Sequence, residues 1–390
     1  MNYSENNLIT IAKRDNNTKR PFLLVNPLQG KHIPAVPSQC LALFAALAER
    51  VFKEPDYTYE HTLIIGFAET ATAIGMGLAV CAPFPTAYIQ TTREHFEGKE
   101  FLYFNEEHSH ATDQMVIRDF LDEHLQPDTH IIFAEDEVTT GKTIENFIRV
   151  LKKTYPDYHF SFGIASILNG MGEEKRALLQ AQGISIHYLL SVPAYDYEKI
   201  LSEYTYEESL RFCCRKLSEN KFMPETTATK DAGQQTIKVL YPGNYQNTRL
   251  GVMAPDYQKL CRQLSEKVLL ETNLADISEK RILVLGTEEL MYAGICLGNY
   301  IERHTDNQVL FHATTRSPIL PSSEENYPLH SRYELTSFYE QNRTTYLYNL
   351  DTYDLCLVLT DSPKHTTAME EIAQILALHH CDRIIHIIWR

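Results

Sequence analysis

Ile131 to Thr143, IIFAEDEVTTGKT, is where residues able to do chemistry are densest. Four apolar residues, Ile131, Ile132, Phe133 and Ala134, lead into two adjacent acids, Glu135 and Asp136. After Glu137 and Val138 come Thr139, Thr140, Gly141, Lys142 and Thr143, and helical periodicity begins. A strand-to-helix turn of this kind exposes backbone N–H groups at the positive end of a helix, which suits a phosphate dianion. Gly141 lets the backbone approach closely, the threonine hydroxyls add donors, and Lys142 adds charge. The carboxylates just ahead of the loop can accept hydrogen bonds from vicinal sugar hydroxyls. Phosphate at one end and a diol at the other describe a ribose 5-phosphate. The ending Gly141-Lys142-Thr143 also matches the tail of a P-loop, but that motif needs glycine where this chain has Asp136. A plain strand–turn–helix connection with a threonine N-cap explains the loop and leaves the acidic pair unexplained.

Four other segments carry reactive side chains. Residues 63–78, LIIGFAETATAIGMGL, read as an apolar strand, a polar loop from Phe67 to Thr72, and a helix. Gly75-Met76-Gly77 is no dinucleotide fingerprint, because the third glycine would fall at Val80; small residues there let a helix pack closely on a sheet. Gly30-Lys31-His32-Ile33-Pro34 offers a basic pair, or a surface turn ahead of Pro34. Thr91-Thr92-Arg93-Glu94 precedes Phe104 to Thr112, where His108 and His110 follow two acids. Two histidines alone leave a metal under-coordinated. A closing loop uses them better, with His and Arg donors excluding water and orienting or protonating a leaving group; the bland alternative is a solvated loop. Thr315-Arg316-Ser317 follows an apolar run, and Arg316 there suits a phosphate or carboxylate.

These groups need strands to aim them and helices to supply N-termini. Alternation predicts strands at 22–25, 62–66, 86–90, 130–134, 159–167 and 184–190, with helices at 37–52, 71–81, 113–125, 142–154 and 173–182. Such alternation argues for a mostly parallel α/β sheet covered by helices. The first twenty residues read as a loose tail or an edge element. Residues 223–235 lack periodicity and read as a linker, dividing a domain at 1–222 from a second α/β domain at 236–390. The second domain has strands expected at 236–241, 282–285, 309–313, 345–350, 355–359 and 384–389, and helices at 257–271, 290–303 and 366–378. A length of 390 residues accords with two domains. A formal charge of −15 disfavours nucleic acids and anionic membranes as partners. No apolar run is long enough to span a bilayer, no secretory signal is evident, and the eight cysteines suit no zinc module, so a cytoplasmic protein with reduced thiols is expected.

IIFAEDEVTTGKT resembles the thirteen-residue signature of type I phosphoribosyltransferases. GFAETAT, EEHSHA, Arg249-Leu250-Gly251, Leu285 to Glu289 and Thr315-Arg316-Ser317-Pro318 extend the likeness over nearly the whole chain. Together they resemble a bacterial family in which a phosphoribosyltransferase domain precedes a TRSP domain, associated with tellurium-resistance operons that encode biosynthetic enzymes. The resemblance implies a Rossmann-like phosphoribosyltransferase domain followed by an α/β TRSP domain. It implies that Glu135 and Asp136 bind the ribose hydroxyls of phosphoribosyl pyrophosphate (PRPP), and that Thr139, Thr140, Gly141, Lys142 and Thr143 hold its 5-phosphate. Glu69, Thr70, Ala71 and Thr72 would grip the pyrophosphate. Lys31 and His32 resemble the hood over the acceptor in orotate-type enzymes, with Arg93 assisting, and His108 and His110 lie where the family carries its flexible catalytic loop. A homodimer is common in such enzymes.

The implied reaction is attack on C1 of PRPP by a small acceptor with loss of pyrophosphate, through a cationic sugar like that of glycoside cleavage. Mg²⁺ is the expected cofactor, held by Glu135 and Asp136 mainly through substrate and water, because pyrophosphate leaves poorly until its charge is neutralised. A PRPP-sensing regulator without chemistry, or the reverse reaction on a nucleotide, are the alternatives. The acceptor, the part played by the second domain and the place of Glu137 stay open.

Overall fold

Long-range contacts divide the chain into two compact units. The computed structural model describes residues 3–53, 57–104, 114–214, 235–362 and 366–390. One unit comprises residues 1–3, 41–194 and 246–260; the other comprises 4–40, 195–245 and 261–390. The cut therefore differs from a single break near 223: residues 4–40 pack with the later half, and 246–260 pack with the earlier. Residues 223–234 of the expected linker lie outside the described residues. Gln235 is described, its amide donating to the carbonyls of Ala373 and Cys381.

The first unit is built on a six-stranded sheet. Its order is Val252–Met253, Ala87–Gln90, Thr62–Gly66, His130–Val138, Ser161–Asn169 and Ile184–Ser191. The last five run parallel, and the two-residue edge strand is antiparallel. Their near-continuous apolar runs are what a parallel sheet covered on both faces requires. Helix Thr72–Val80 fits against the sheet through Gly75 and against helix Pro37–Phe52 through Gly77. A Cβ on Gly75 would lie 2.9 Å from the Gly66 Cα, and one on Gly77 would lie 2.7 Å from Phe44. On the other face Phe133 and Phe147 pack with ring centroids 5.5 Å apart, tying the central strand to helix Lys142–Thr154.

The second unit holds a five-stranded parallel sheet in the order Thr236–Leu240, Arg383–Ile388, Leu355–Thr360, Arg281–Gly286 and Gln308–Ala313. Helices Tyr292–His304 and Thr366–Leu378 follow two of these strands. A three-stranded sheet of Arg211–Cys213, Arg332–Thr336 and Thr344–Tyr348 stands apart, so the strand expected at 345–350 is antiparallel and outside the main sheet. Residues 10–13, within the segment read as a loose tail or an edge element, form the strand Thr10–Lys13, antiparallel to Phe22–Val25. The helix expected over 113–125 is half strand: Gln114–Ile117 pairs with Phe101–Phe104, and only Arg118–His124 is helical. The run Met115, Val116, Ile117 is buried, and its two β-branched residues prefer the pleated surface. Among the described residues no helix is long and apolar enough to cross a membrane.

Candidate functional site

In the first sheet Thr62–Gly66 is followed by a helix and the strand on one side, whereas His130–Val138 starts the series on the other side. The two strands are neighbours, so a topological switch point lies between them, and crevices outside the carboxyl ends of strands at such points hold ligands. The loops emerging there are residues 67–71 and 139–141, the same two that the sequence marks for phosphate chemistry.

His130 to Ala134 are fully buried, which anchors the strand. Strand pairing runs beyond the expected end at 134 to Val138, because Ser161–Asn169 continues beside it, with Glu135 opposite Ser166 and Glu137 opposite Leu168. Glu135, Asp136 and Glu137 are half-buried. Pairing with Thr62–Gly66 stops at Ala134, so the three acids stand past the end of that neighbour. Strand alternation then separates them. Ala134 faces helix Thr72–Val80, since a Cβ on Gly75 would come 3.3 Å from it, and Asp136 shares that face. Glu135 and Glu137 share the face of Phe133, toward helix Lys142–Thr154. Glu137 is thereby a second carboxylate on the side of Glu135.

Thr139 and Thr140 are exposed and Gly141 is buried with φ +72°, a left-handed conformation that glycine adopts without penalty. Gly141 is the N-cap of the helix, and its own lack of a side chain leaves the first-turn N–H groups uncapped by it. Met171 lies beneath: a Cβ on Gly141 would sit 3.1 Å from its Sδ. Lys142 is exposed, and Thr143 is half-buried at the helix start. The turn is braced by the Gly170 amide donating to the Val138 carbonyl at 2.7 Å and by a 2.6 Å ion pair between Lys175 and Glu145.

The other loop is fixed at its start. The Phe67 amide donates to Ala134 O at 3.0 Å, and the Ala68 amide to Thr91 Oγ1 at 2.8 Å. Glu69 and Thr70 are half-buried at its tip, whereas Ala71 is buried and Thr72 is a buried helix residue whose carbonyl accepts from Tyr88. Thr72 therefore opens the helix that follows the loop tip. The Ala68–Glu69 peptide is cis. Arg93 is half-buried just past the carboxyl end of Ala87–Gln90, so it shares this edge of the sheet. His108 and His110 lie outside the described residues.

Two groups were missed by sequence reasoning. Ser166 Oγ and Asn169 Nδ2 are buried without a hydrogen-bond partner among the described residues. Ser166 pairs with Glu135 in register and Asn169 with Val138, which puts both at the edge where the acids emerge. Asn169 Oδ1 already accepts from the Met171 amide at 3.2 Å. An orphaned buried donor costs free energy unless a ligand or water completes it. Their signal in sequence is only a Ser and an Asn inside an otherwise apolar strand.

Two expected sites take other places. Lys31 belongs to the second unit, is 0% exposed, and donates from Nζ to the carbonyls of Glu288 at 2.8 Å and Thr314 at 3.1 Å. His32 is buried beside Tyr348. An acceptor hood would turn its charge outward; this ammonium instead braces two strand-end loops. Arg316 donates to Glu289 at 3.0 Å and lies 3.9 Å from Glu288. Thr315 is buried, and its Oγ1 accepts from the Ser317 amide. With its guanidinium already facing Glu288 and Glu289, Arg316 stands in an ion-pair network and not in an open anion cradle.

Fold and site together define an α/β protein whose ligand crevice opens at the switch point of its first sheet. Residues 8–193 match the family model described as phosphoribosyl transferase, and residues 246–376 match that of the TRSP domain, C-terminal to it. The chain thus carries a phosphoribosyltransferase-family domain with the corresponding α/β fold, followed by a TRSP domain. Similar solved structures include adenine phosphoribosyltransferases from Rhodothermus marinus (17% identity, TM-score 0.36, 47% of this chain and 94% of that one) and Giardia lamblia (12%, 0.35, 48% and 95%). The enzyme from Leishmania tarentolae is 16% identical, with TM-score 0.35, over 48% of this chain and 85% of that one. No curated protein sequence matches the chain.

Proposed function

We propose that the chain transfers ribose 5-phosphate from PRPP to a small acceptor with release of pyrophosphate. One observation carries this reading: at the switch point, half-buried Glu135 and Asp136 stand directly before a turn whose N-cap, Gly141, puts no side chain over the helix N-terminus. The turn supplies N–H groups and threonine hydroxyls from Thr139, Thr140 and Thr143 for the 5-phosphate. Glu135, on the side of that turn, and Asp136, on the side of the loop bearing Glu69 and Thr70, each offer a carboxylate to sugar hydroxyls at the carboxyl end of the strand. Their negative charge stabilises the cation that develops at C1 as pyrophosphate departs. Lys142 balances phosphate charge.

Magnesium fits as a substrate-borne ion. Among the described residues no group of three or more His, Cys, Asp or Glu side chains is placed to hold a metal. Glu135 and Asp136 offer hard oxygen donors, and pyrophosphate oxygens and water would complete the shell. When bound, the ion neutralises the leaving pyrophosphate. The buried orphans Ser166 and Asn169 fit contacts to the substrate.

The test is pyrophosphate release from Mg-PRPP across a panel of acceptors, with Asp136→Asn beside the natural chain. Turnover should fall by roughly 10²-fold or more with the melting temperature little changed. Undiminished turnover in that variant refutes the assignment.

A further inference from the structure

The two loops of the first unit's site leave neighbouring strands, and their separation sets how far apart two anionic groups can be held. A group of aromatic rings joins them. Phe67, the first residue after strand Thr62–Gly66, is 2% exposed. Its ring packs on Phe133 with centroids 6.1 Å apart and on Phe147 at 6.3 Å. Phe133 lies on the strand that carries the acids, one residue before Ala134. Phe147 belongs to helix Lys142–Thr154, which begins at the Gly141 turn. Phe104 completes the group, meeting Phe67 edge-on at 5.8 Å and stacking on Phe147 at 4.0 Å.

Phe67 is thus part of the core and part of the loop at once. Its amide donates to Ala134 O, and its carbonyl accepts from the Ala71 amide, each at 3.0 Å, so ring and loop backbone are held as one piece. The other three rings are buried. Close-packed interiors transmit a displacement and do not absorb it. A shift of the helix at Phe147 is passed by contact to Phe67, and through it to Glu69 and Thr70, two and three residues further on.

We propose that Phe67 is a positioning residue that sets the span between the turn at residues 139–141 and the loop at residues 67–71. The span selects a ligand whose two anionic groups stand that far apart on one sugar. Phe67 touches no ligand itself. The proposal rests on the PRPP reading, in which the 5-phosphate takes the turn and the pyrophosphate takes the loop. Such a ligand gains from carrying both groups only while the two sites keep the matching distance. Each group alone binds whatever the spacing, whereas a misplacement of about 1 Å can cost a two-point ligand a factor of up to about 10².

Calorimetric titration of the full chain with Mg-PRPP, ribose 5-phosphate and magnesium pyrophosphate tests it, in the natural chain and in Phe67→Leu, Phe147→Leu and Phe162→Leu. The natural chain should bind PRPP more tightly than either fragment. Phe67→Leu and Phe147→Leu should each weaken PRPP about tenfold and each fragment less than about threefold. Phe162 is the control: it is buried and packs on Phe133 from the strand on the side away from Thr62–Gly66. Its leucine variant should melt lower and keep the natural ratio of PRPP to fragment affinity. Phe147 supplies no loop backbone, which keeps the test informative if Phe67→Leu fails to fold. A natural chain that binds no PRPP overturns this proposal together with the transferase reading. PRPP binding whose ratio to the fragments is unchanged by the variants at 67 and 147, or is shifted equally by Phe162→Leu, overturns this proposal alone.

Discussion

Gly141 and Asn169 show what single residues contribute beyond charge. Alanine at Gly141 would be held at φ +72° with its Cβ against Met171, and left-handed backbone costs an L-residue on the order of 1–2 kcal/mol. Gly141→Ala should lower unfolding stability by that amount in denaturant titration and raise the KM for PRPP, since the turn must re-form to recover the backbone. Asn169→Leu should behave oppositely. It removes an orphaned buried amide along with one accepted bond from Met171, so stability should change by less than about 1 kcal/mol. Turnover should nevertheless drop about tenfold if Asn169 touches substrate; a variant as active as the natural chain makes it a plain core residue. Glu135, Asp136 and Gly141 were legible in the sequence because an acidic pair before a glycine turn is rare chemistry. Ser166 and Asn169 were not, because only register against Glu135 and Val138 brings them to the site.

At the scale of elements, the strand–loop–helix unit turns apolar burial into aim. Helix Thr72–Val80 has no polar face: Thr72 to Ala79 are all buried, and it seats on the sheet through Gly75. A methyl there would meet the Gly66 Cα and the Tyr88 ring, each at 2.9 Å, and backbone cannot move aside. Gly75→Ala should therefore cost about 1–3 kcal/mol and push back the helix that follows the Glu69–Thr70 loop. Thermal melting reads the first effect and the KM for PRPP the second; an unshifted melting temperature would mean that the helix packs less tightly than this. Apolar runs bounded by polar loops made the parallel strands readable. Residues 114–117 were misread because Met115, Phe120, Leu121 and Leu125 also fit a helical stripe. The partner that makes Gln114–Ile117 a strand, Phe101–Phe104, cannot be inferred from local pattern.

At the scale of the molecule, chain order and packing order diverge. Composition can reveal a linker, but it cannot reveal that Ala35 bridges to Phe311, a pairing far apart in sequence that draws the N-terminal segment into the later unit. Each unit also carries buried histidines, and these set a pH response. Burial holds His130 of the first unit at about 4, helped by His187, and holds His312 and His386 of the second at about 4, with Lys31 adding to the effect at His312. An unfolded histidine titrates near 6.5. Between pH 6.5 and 4 the unfolded chain therefore takes up protons that the folded chain refuses, and stability falls as pH falls through that window. At pH 5 each of these three should remove about 2 kcal/mol, and His379 of the second unit, also held below its ordinary value by burial, adds to that unit's loss, so the second unit loses at least twice what the first loses. Two units need not melt together. Scanning calorimetry at pH 7.5 and pH 5 should show the transition moving down, with the component from the second unit moving further. His130→Gln should flatten only the smaller shift. Equal melting at the two pH values would mean that these histidines gain protons without unfolding.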